Sequence, residues 1–467
     1  MKNRDYTRLL AELAEAYARH SPRSRALHER AVRYMVDGGS HTLRLVHPFP
    51  PRIAAAHGAW LTDEDGHRIL DFWQGHLANI LGHNPTVVTS AVARALADGW
   101  GLQTGFTDRL QVEVAELLCQ RTGAERVRFT TSGTLATMYA IMLARAFTGR
   151  DRVLKVGGGW HGGQPWALKG INFQTASGFQ HLESDGLPAA VADEVVVTRF
   201  NDPDALRDDF RHHGDRAACF IVEPFIGVGG FMPATREYLR VARELTHQYG
   251  AVLILDEVIA GFRFRAGDLG ALYGIQPDLI TLGKIIGGGM PVAAVAGRAE
   301  VMELAGGRAG GGRVKFSGGT YSAHPASMLA ARAALTYLVE HETEIYPQLG
   351  ASGERIRQTI QDAFTAEGIP VHLTGGPSAN DPLPGSSLFM LHFPYQPTTR
   401  LNCPEDLFDP TVCDVTLSHK VLDLALLGED VFMLHSHGGV STAHTQADIE
   451  FLGEACRRVA RRIKPYL

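Results

Sequence analysis

Five short runs of β-forming residues, at positions 126–129, 152–156, 218–222, 251–255 and 279–282, alternate with stretches of helical periodicity between residues 85 and 330. Strands that read as continuous apolar runs are buried on both faces, and the helices between them supply the crossovers that parallel pairing needs. The expected fold is therefore α/β, a mostly parallel sheet covered by helices. A chain of 467 residues exceeds the ~250–300 at which a single core stops growing, so a second, smaller unit is expected beside it.

The remaining segments outline that second unit. Residues 5–34 carry helical spacing broken at Ser21-Pro22 and read as an arm or appended helix pair, while 53–72 suggest a β-hairpin turning at Asp65-Gly66. The glycine-rich stretch 306–312 reads as a mobile surface loop. A helix over 327–340, a Pro/Gly/Asn-rich loop at 375–385 and a last helix over 447–463 follow. The resulting division is 1–84 as N-terminal arm and part of a small α+β domain, 85–330 as the large domain, and 331–467 as the C-terminal small domain.

Charge and cysteine usage narrow the partners. A formal net charge of −5, with no basic run interleaved with aromatics, argues against nucleic acid and anionic membranes. The five cysteines are scattered and form no CxxC pair, which reads as reduced thiols rather than a disulfide or zinc framework. The first residues are polar and lack a signal peptide's apolar core, and apolar runs fall far short of the ~20 residues of a membrane helix. A cytoplasmic protein is expected.

In open parallel sheets ligands collect at the carboxyl ends of the strands, so strand termini are where chemistry is sought. The run 126–129 leads into Thr130-Thr131-Ser132-Gly133-Thr134 and then a helix, which puts hydroxyls and free N–H groups at a helix N-terminus, a phosphate cradle in form. Ser and Thr there serve equally well as plain caps. The run 251–255 ends at Asp256-Glu257, a place for an acid that binds a metal, acts as a base or pairs with a protonated pyridine nitrogen. The run 279–282 ends at Gly283-Lys284, followed by Gly287-Gly288-Gly289. A lysine at a sheet edge is ordinarily a solvated charge, yet one among glycines that admit a close ligand is a candidate Schiff-base amine.

Together the three termini meet one requirement. Pyridoxal 5′-phosphate (PLP) needs an anion site, an acid for its ring nitrogen and a lysine for its aldehyde carbon. Two other patterns carry less. Gly157-Gly158-Gly159-Trp160-His161-Gly162 matches GxGxxG formally, but it lacks an acid about 20 residues on and runs into Gly163-Gln164-Pro165, a poor helix start. His435-Ser436-His437 lacks the further ligand spacing of a metal site, and no metal is expected.

With Thr131-Ser132-Gly133-Thr134, Gly159-Trp160-His161-Gly162, Phe200-Asn201-Asp202, Val222-Glu223-Pro224, Leu255-Asp256-Glu257-Val258, the segment from Thr281 through Lys284 to Gly289, and Gly319-Thr320, the chain resembles the class III aminotransferases of PLP fold type I. The resemblance spans roughly residues 30–464 and leans to the branch of glutamate-1-semialdehyde 2,1-aminomutases and β-amino-acid transaminases. It implies an aspartate-aminotransferase-like fold and an enzyme that transfers an amino group between an amine or (β-)amino acid and a keto acid or aldehyde. The alternative is intramolecular transfer of the aminomutase type. By the same resemblance Lys284 carries the cofactor as a Schiff base, Asp256 pairs with the ring nitrogen, and Ser132, Gly133 and Thr134 bind phosphate. Trp160 and Val258 flank the ring, His161 belongs to the cofactor site, and Glu223 and Asn201 stand behind it. Thr320 reaches the neighbouring subunit's cofactor, which implies a homodimer with shared active sites. For a substrate carboxylate the nearest matches are Arg44 and His41, and Asn201 is a further candidate for substrate binding. Departures are Trp160 where relatives carry Tyr or Phe, Leu135 where they carry an acid, and no carboxylate near Ser436 where the aminomutases place a pocket glutamate.

Overall fold

The structure, a computed structural model, describes residues 4–306 and 313–467, so the predicted glycine-rich loop lies outside the described residues from 307 onward. Its centre is a seven-stranded sheet of β1 (Arg126–Thr130), β2 (Arg152–Val156), β3 (Val195–Thr198), β4 (Ala217–Val222), β5 (Val252–Glu257), β6 (Leu279–Leu282) and β7 (Ala293–Gly297), in the order β1-β7-β6-β5-β4-β2-β3. Every strand pair from β6 to β3 is parallel, whereas β7 runs antiparallel to both β6 and β1.

Alternation along the strands divides the core in two. Leu154, Phe220, Val222, Leu253 and Leu255 pack on one face against Phe210 and Leu239. Val153, Cys219, Ile221, Val252 and Ile254 pack on the other against Ala140, Ile141 and Leu143 of the helix α2 (Gly133–Thr148). All six residues of β4 and of β5 are buried, as a sheet sandwiched between helices demands.

Beyond this sheet the two ends of the chain are interwoven. Ile53–His57, Trp60–Asp63 and Arg68–Asp71 form an antiparallel meander that Val431–Phe432 joins in parallel, and His372–Thr374, Leu388–His392 and His437–Gly439 form a second small sheet. The first helix, α1 (Thr7–His20), buries Leu9, Leu13 and Tyr17 in the same apolar cluster as Ile356, Phe364, Leu417 and Leu452. Polar contacts fasten this packing: Tyr6 Oη donates to Asp414 at 2.6 Å and Trp60 Nε1 to Asp448 at 3.0 Å.

Three expectations change. The helix pair at the N-terminus is present, and its first helix is more than an appendage, because its buried stripe is part of a core. The hairpin is a meander, with an added strand over Ile53–His57. The large sheet also holds two strands beyond the five expected, β3 at one edge and β7 between β1 and β6.

Leu13→Ala removes a side chain that is 2% exposed and should cost about 2–5 kcal/mol in a denaturant titration. Glu15→Ala, on the exposed face of the same helix, should stay within about 0.5 kcal/mol of the parent. Equal midpoints for the two variants would mean that α1 adds nothing to the core.

Candidate active site

The register of β5 against β6 sets Asp256 opposite Thr281, and Glu257 opposite Leu282. Successive side chains leave a strand on opposite faces. Asp256 therefore faces the cleft, while Glu257 turns away and accepts the N–H groups of Leu269 and Gly270 at 2.5 and 2.9 Å as a structural brace. Two residues past the end of β6, Lys284 sits at φ +48°, a left-handed conformation that costs an L-residue energy and persists only where its surroundings enforce it.

Asp256 is held from three sides. Its Oδ1 accepts from Thr281 Oγ1 at 2.9 Å and from the Val258 N–H at 3.1 Å, and its Oδ2 lies 2.7 Å from His161 Nδ1. Burial pushes the His161 ring down in pKa, so the ring is neutral, and the carboxylate fixes the proton on Nδ1. His161 Nε2 is buried without a partner among the described residues.

Glu223, at the loop after β4, accepts from the N–H of Trp160 and of Gly227, each at 3.0 Å. Burial, and then the charge of Asp256, raise its carboxyl well above the usual range. Burial lowers the Lys284 ammonium, against the opposing pull of Asp256 and Glu223. A lysine so placed is a free amine more readily than a solvated one.

Ser132 caps α2, its Oγ accepting from the Leu135 N–H at 3.3 Å, and the N–H groups of Gly133 and Thr134 have no hydrogen-bond partner among the described residues. The peptide between β2 and β3 approaches this turn closely. A Cβ on Gly162, at φ +84°, would stand 2.6 Å from Thr134 Cα, and one on Gly133 would stand 3.0 Å from Val258 Cγ1. Glycine is needed at both positions for contact rather than for freedom alone.

These groups share one cleft of about 540 Å³, lined by Ser132, Gly133, Thr134, Trp160, His161, Glu223, Asp256, Val258 and Lys284, with His41 and Arg44 on its rim. Arg44 Nε donates to His76 Nε2 at 3.0 Å, and the His41 and His76 rings lie edge to face at 4.6 Å. Two of the predicted residues are elsewhere. Asn201 does not line the cleft; its Nδ2 donates to Pro233 O and its Oδ1 accepts from the Thr235 N–H, so it staples the start of the helix Arg236–Tyr249. Thr320 is exposed and outside the cleft of its own chain.

Sequence reasoning also missed groups. His76 and His419 are not singled out by it, and His435 and His437 are set aside as a metal pair; the four meet in a second chamber that opens on Lys284, although they come from three separate places in the chain, and no spacing rule announces such a meeting. Thr281 was findable, since it lies one residue before the end of the strand adjacent to that of Asp256.

The sheet order, with a carboxylate and an amine projecting from the ends of adjacent strands over a helix N-terminus, defines an α/β enzyme whose reaction takes place at the strand ends. The family model for class III aminotransferases matches residues 44–367, and the chain belongs to that family. It is 36% identical over 345 residues to the glutamate-1-semialdehyde 2,1-aminomutase of Haloarcula marismortui, covering 73% of this chain and 74% of that one. Among solved structures it is similar to an omega-transaminase from Sphaerobacter thermophilus, with TM-score 0.83, 33% identity and coverage of 94% and 97%. It also resembles a transaminase with PLP bound, with TM-score 0.83, 29% identity and coverage of 95% and 98%. The fold is that of the fold type I transaminases.

Gly162→Ala should lower stability by about 1–3 kcal/mol, because a methyl group there meets backbone and the conformation is left-handed. Gly163→Ala, with nothing within 4 Å of its Cβ, should melt close to the parent in a thermal scan.

Proposed function

We propose that this enzyme transfers an amino group between an amine or (β-)amino acid and a keto acid or aldehyde, using PLP. The observation that carries the proposal is the convergence of Lys284, Asp256 and the N-terminus of α2 in one cleft. The donor set fits that cofactor: two unpartnered N–H groups for a phosphate, a fixed carboxylate for a protonated ring nitrogen, and a buried lysine for an aldehyde. When bound, PLP supplies an electron sink that stabilises negative charge on the carbon beside the substrate nitrogen.

Ser132, Gly133 and Thr134 would receive the phosphate, and Trp160 and Val258 would flank the ring. Asp256 is kept in place by Thr281, the Val258 N–H and His161, so it would hold a proton on the ring nitrogen without reorganising. Lys284 Nζ would bond the aldehyde carbon and, once freed, take a proton from the substrate carbon and return it. Its depressed affinity for protons suits that second task. Glu223 braces the Trp160 backbone, and residues 85–330 would form the cofactor-binding unit.

A second reading, internal amino transfer as in the aminomutases, is favoured by the name of the Haloarcula relative. Against it stands the chamber beside Lys284, which offers no arginine or carboxylate. The two readings part on the fate of the keto product: an aminotransferase releases it, and an aminomutase isomerises glutamate semialdehyde without release.

We further infer a homodimer in which Thr320 serves the other subunit's cleft. Supporting this are exposed Leu96, Leu102, Phe106, Met290 and Tyr321, large apolar side chains that soluble monomers seldom leave uncovered. The five free thiols fit a reducing, cytoplasmic setting, and among the described residues no helix is long and apolar enough to cross a membrane.

The protein purified with PLP should be yellow. Lys284→Ala should lose the lysine-bound absorption and at least about 10³-fold in turnover, a loss typical of removing a nucleophile and proton carrier together. Asp256→Asn should retain PLP and still lose about 10²-fold or more, since an unprotonated ring is a poor sink. Normal rates in either variant would end this assignment.

A further inference from the structure

Next to the cofactor cleft lies a chamber of about 300 Å³ that opens on Lys284. Its walls are aromatic and aliphatic, chiefly Trp73, Trp160, Phe231 and Phe408, and among its lining residues the only formal charge is on Lys284 itself. Its other polar side chains are five imidazoles, those of His41, His76, His419, His435 and His437, together with Asn172 and the indole N–H groups of Trp73 and Trp160. His437 packs 4.9 Å from the Phe231 ring and 5.2 Å from Trp73, and His419 lies 5.6 Å from Phe408.

Two local irregularities put these rings where they are. His419 rides on a π-turn, Leu417–Val421, a distortion that recurs at functional sites because it costs helix geometry to keep. His435 and Ser436 are both left-handed, at φ +51° and +58°, and their consecutive N–H groups donate to the buried Asp423 carboxylate at 2.7 and 3.0 Å. The Ser436 hydroxyl turns back to the carbonyl of Ser418, tying the strained link to the π-turn. Strain held by a dedicated buried carboxylate is placed rather than accidental.

The rings are uncharged. Burial, then the neighbouring imidazoles, push His419 and His437 down to about 3. The His419 and His435 rings lie edge to face at 5.6 Å, and burial pushes His435 down as well. They do not form a metal site: His435 and His437 are stacked at 6.2 Å with planes 18° apart, and among the described residues no metal-binding group occurs.

A neutral imidazole offers one donor and one acceptor, and in an apolar enclosure it is satisfied by a hydroxyl or carbonyl. A carboxylate entering the same space would lose its hydration and find no cation among the lining residues except Lys284, which the cofactor would occupy. We propose that this chamber receives the substrate's side chain as an uncharged, oxygen-bearing ring, whose hydroxyl or carbonyl meets His419 and His435, and that it rejects a side chain ending in a carboxylate. This specifies the substrate class of the aminotransferase reading above and rests on it.

The test uses holoenzyme and three matched side-chain mimics without an amine, 4-ethylphenol, ethylbenzene and 4-ethylbenzoate, with affinity read by calorimetry. 4-Ethylphenol should bind about three- to tenfold tighter than ethylbenzene, the net worth of one neutral hydrogen bond, and 4-ethylbenzoate should bind at least about tenfold more weakly than either. His419→Phe should bring 4-ethylphenol down to ethylbenzene, and His419→Gln, which restores hydrogen bonding, should recover part of the difference. Equal affinities for phenol and hydrocarbon in the parent protein, or preference for the benzoate, would overturn the inference even if no variant folds. Offering 4-hydroxyphenethylamine and ethylamine to the same preparation separates the two levels. Binding in the expected order with no amine consumed sinks the aminotransferase reading, whereas amine consumption with the wrong binding order sinks only the chamber.

Discussion

The pairing of β5 with β6 is the constraint on which the site depends. Because side chains alternate along a strand, a slip of one residue would exchange Asp256 for Glu257 and turn the wrong acid toward the cleft. The register is secured by burial on both faces. Leu253 and Leu255 belong to one apolar cluster and Ile254 to the other, so a slip would misplace all of them at once. The chemistry is thus positioned by the packing of residues that never touch a ligand.

The strands that carry this arrangement were legible because buried parallel strands write themselves as unbroken apolar runs. The two that were missed explain the limit. β7 is Ala293–Gly297, nearly all small residues, and β3 is a four-residue edge strand that follows directly on a short helix, Ala189–Glu194. Neither has the bulk or the length that separates strand from loop. Small residues suit β7, whose neighbours on both sides run the other way and whose face meets α2, but that need is visible only in three dimensions.

The residues proposed to hold the cofactor stand at positions that motif and strand end mark in the sequence, whereas the lining of the neighbouring chamber is not so marked. Asp256, Lys284 and Ser132 through Thr134 lie at strand termini, where sequence order and spatial order coincide. The imidazoles beside Lys284 come from the turn after Arg68–Asp71, from a π-turn and from a strained link, and the last two are brought together by Asp423, which no pattern marks as special. Asn201 shows the opposite error: a motif position with both side-chain polar atoms already committed to neighbouring backbone.

The interweaving of the chain ends has a consequence for the order of assembly. The cluster that contains Leu13 and Ile69 also contains Leu452 and Ile463, residues separated by nearly the whole chain. The seven strands of the large sheet are complete by Gly297, so during synthesis that sheet can close on itself while the partners of α1 are still to be made. The chamber wall that His419, His435 and His437 form is made last, after Lys284 and Asp256, so the proposed substrate side of the site is completed only once its cofactor side is already present.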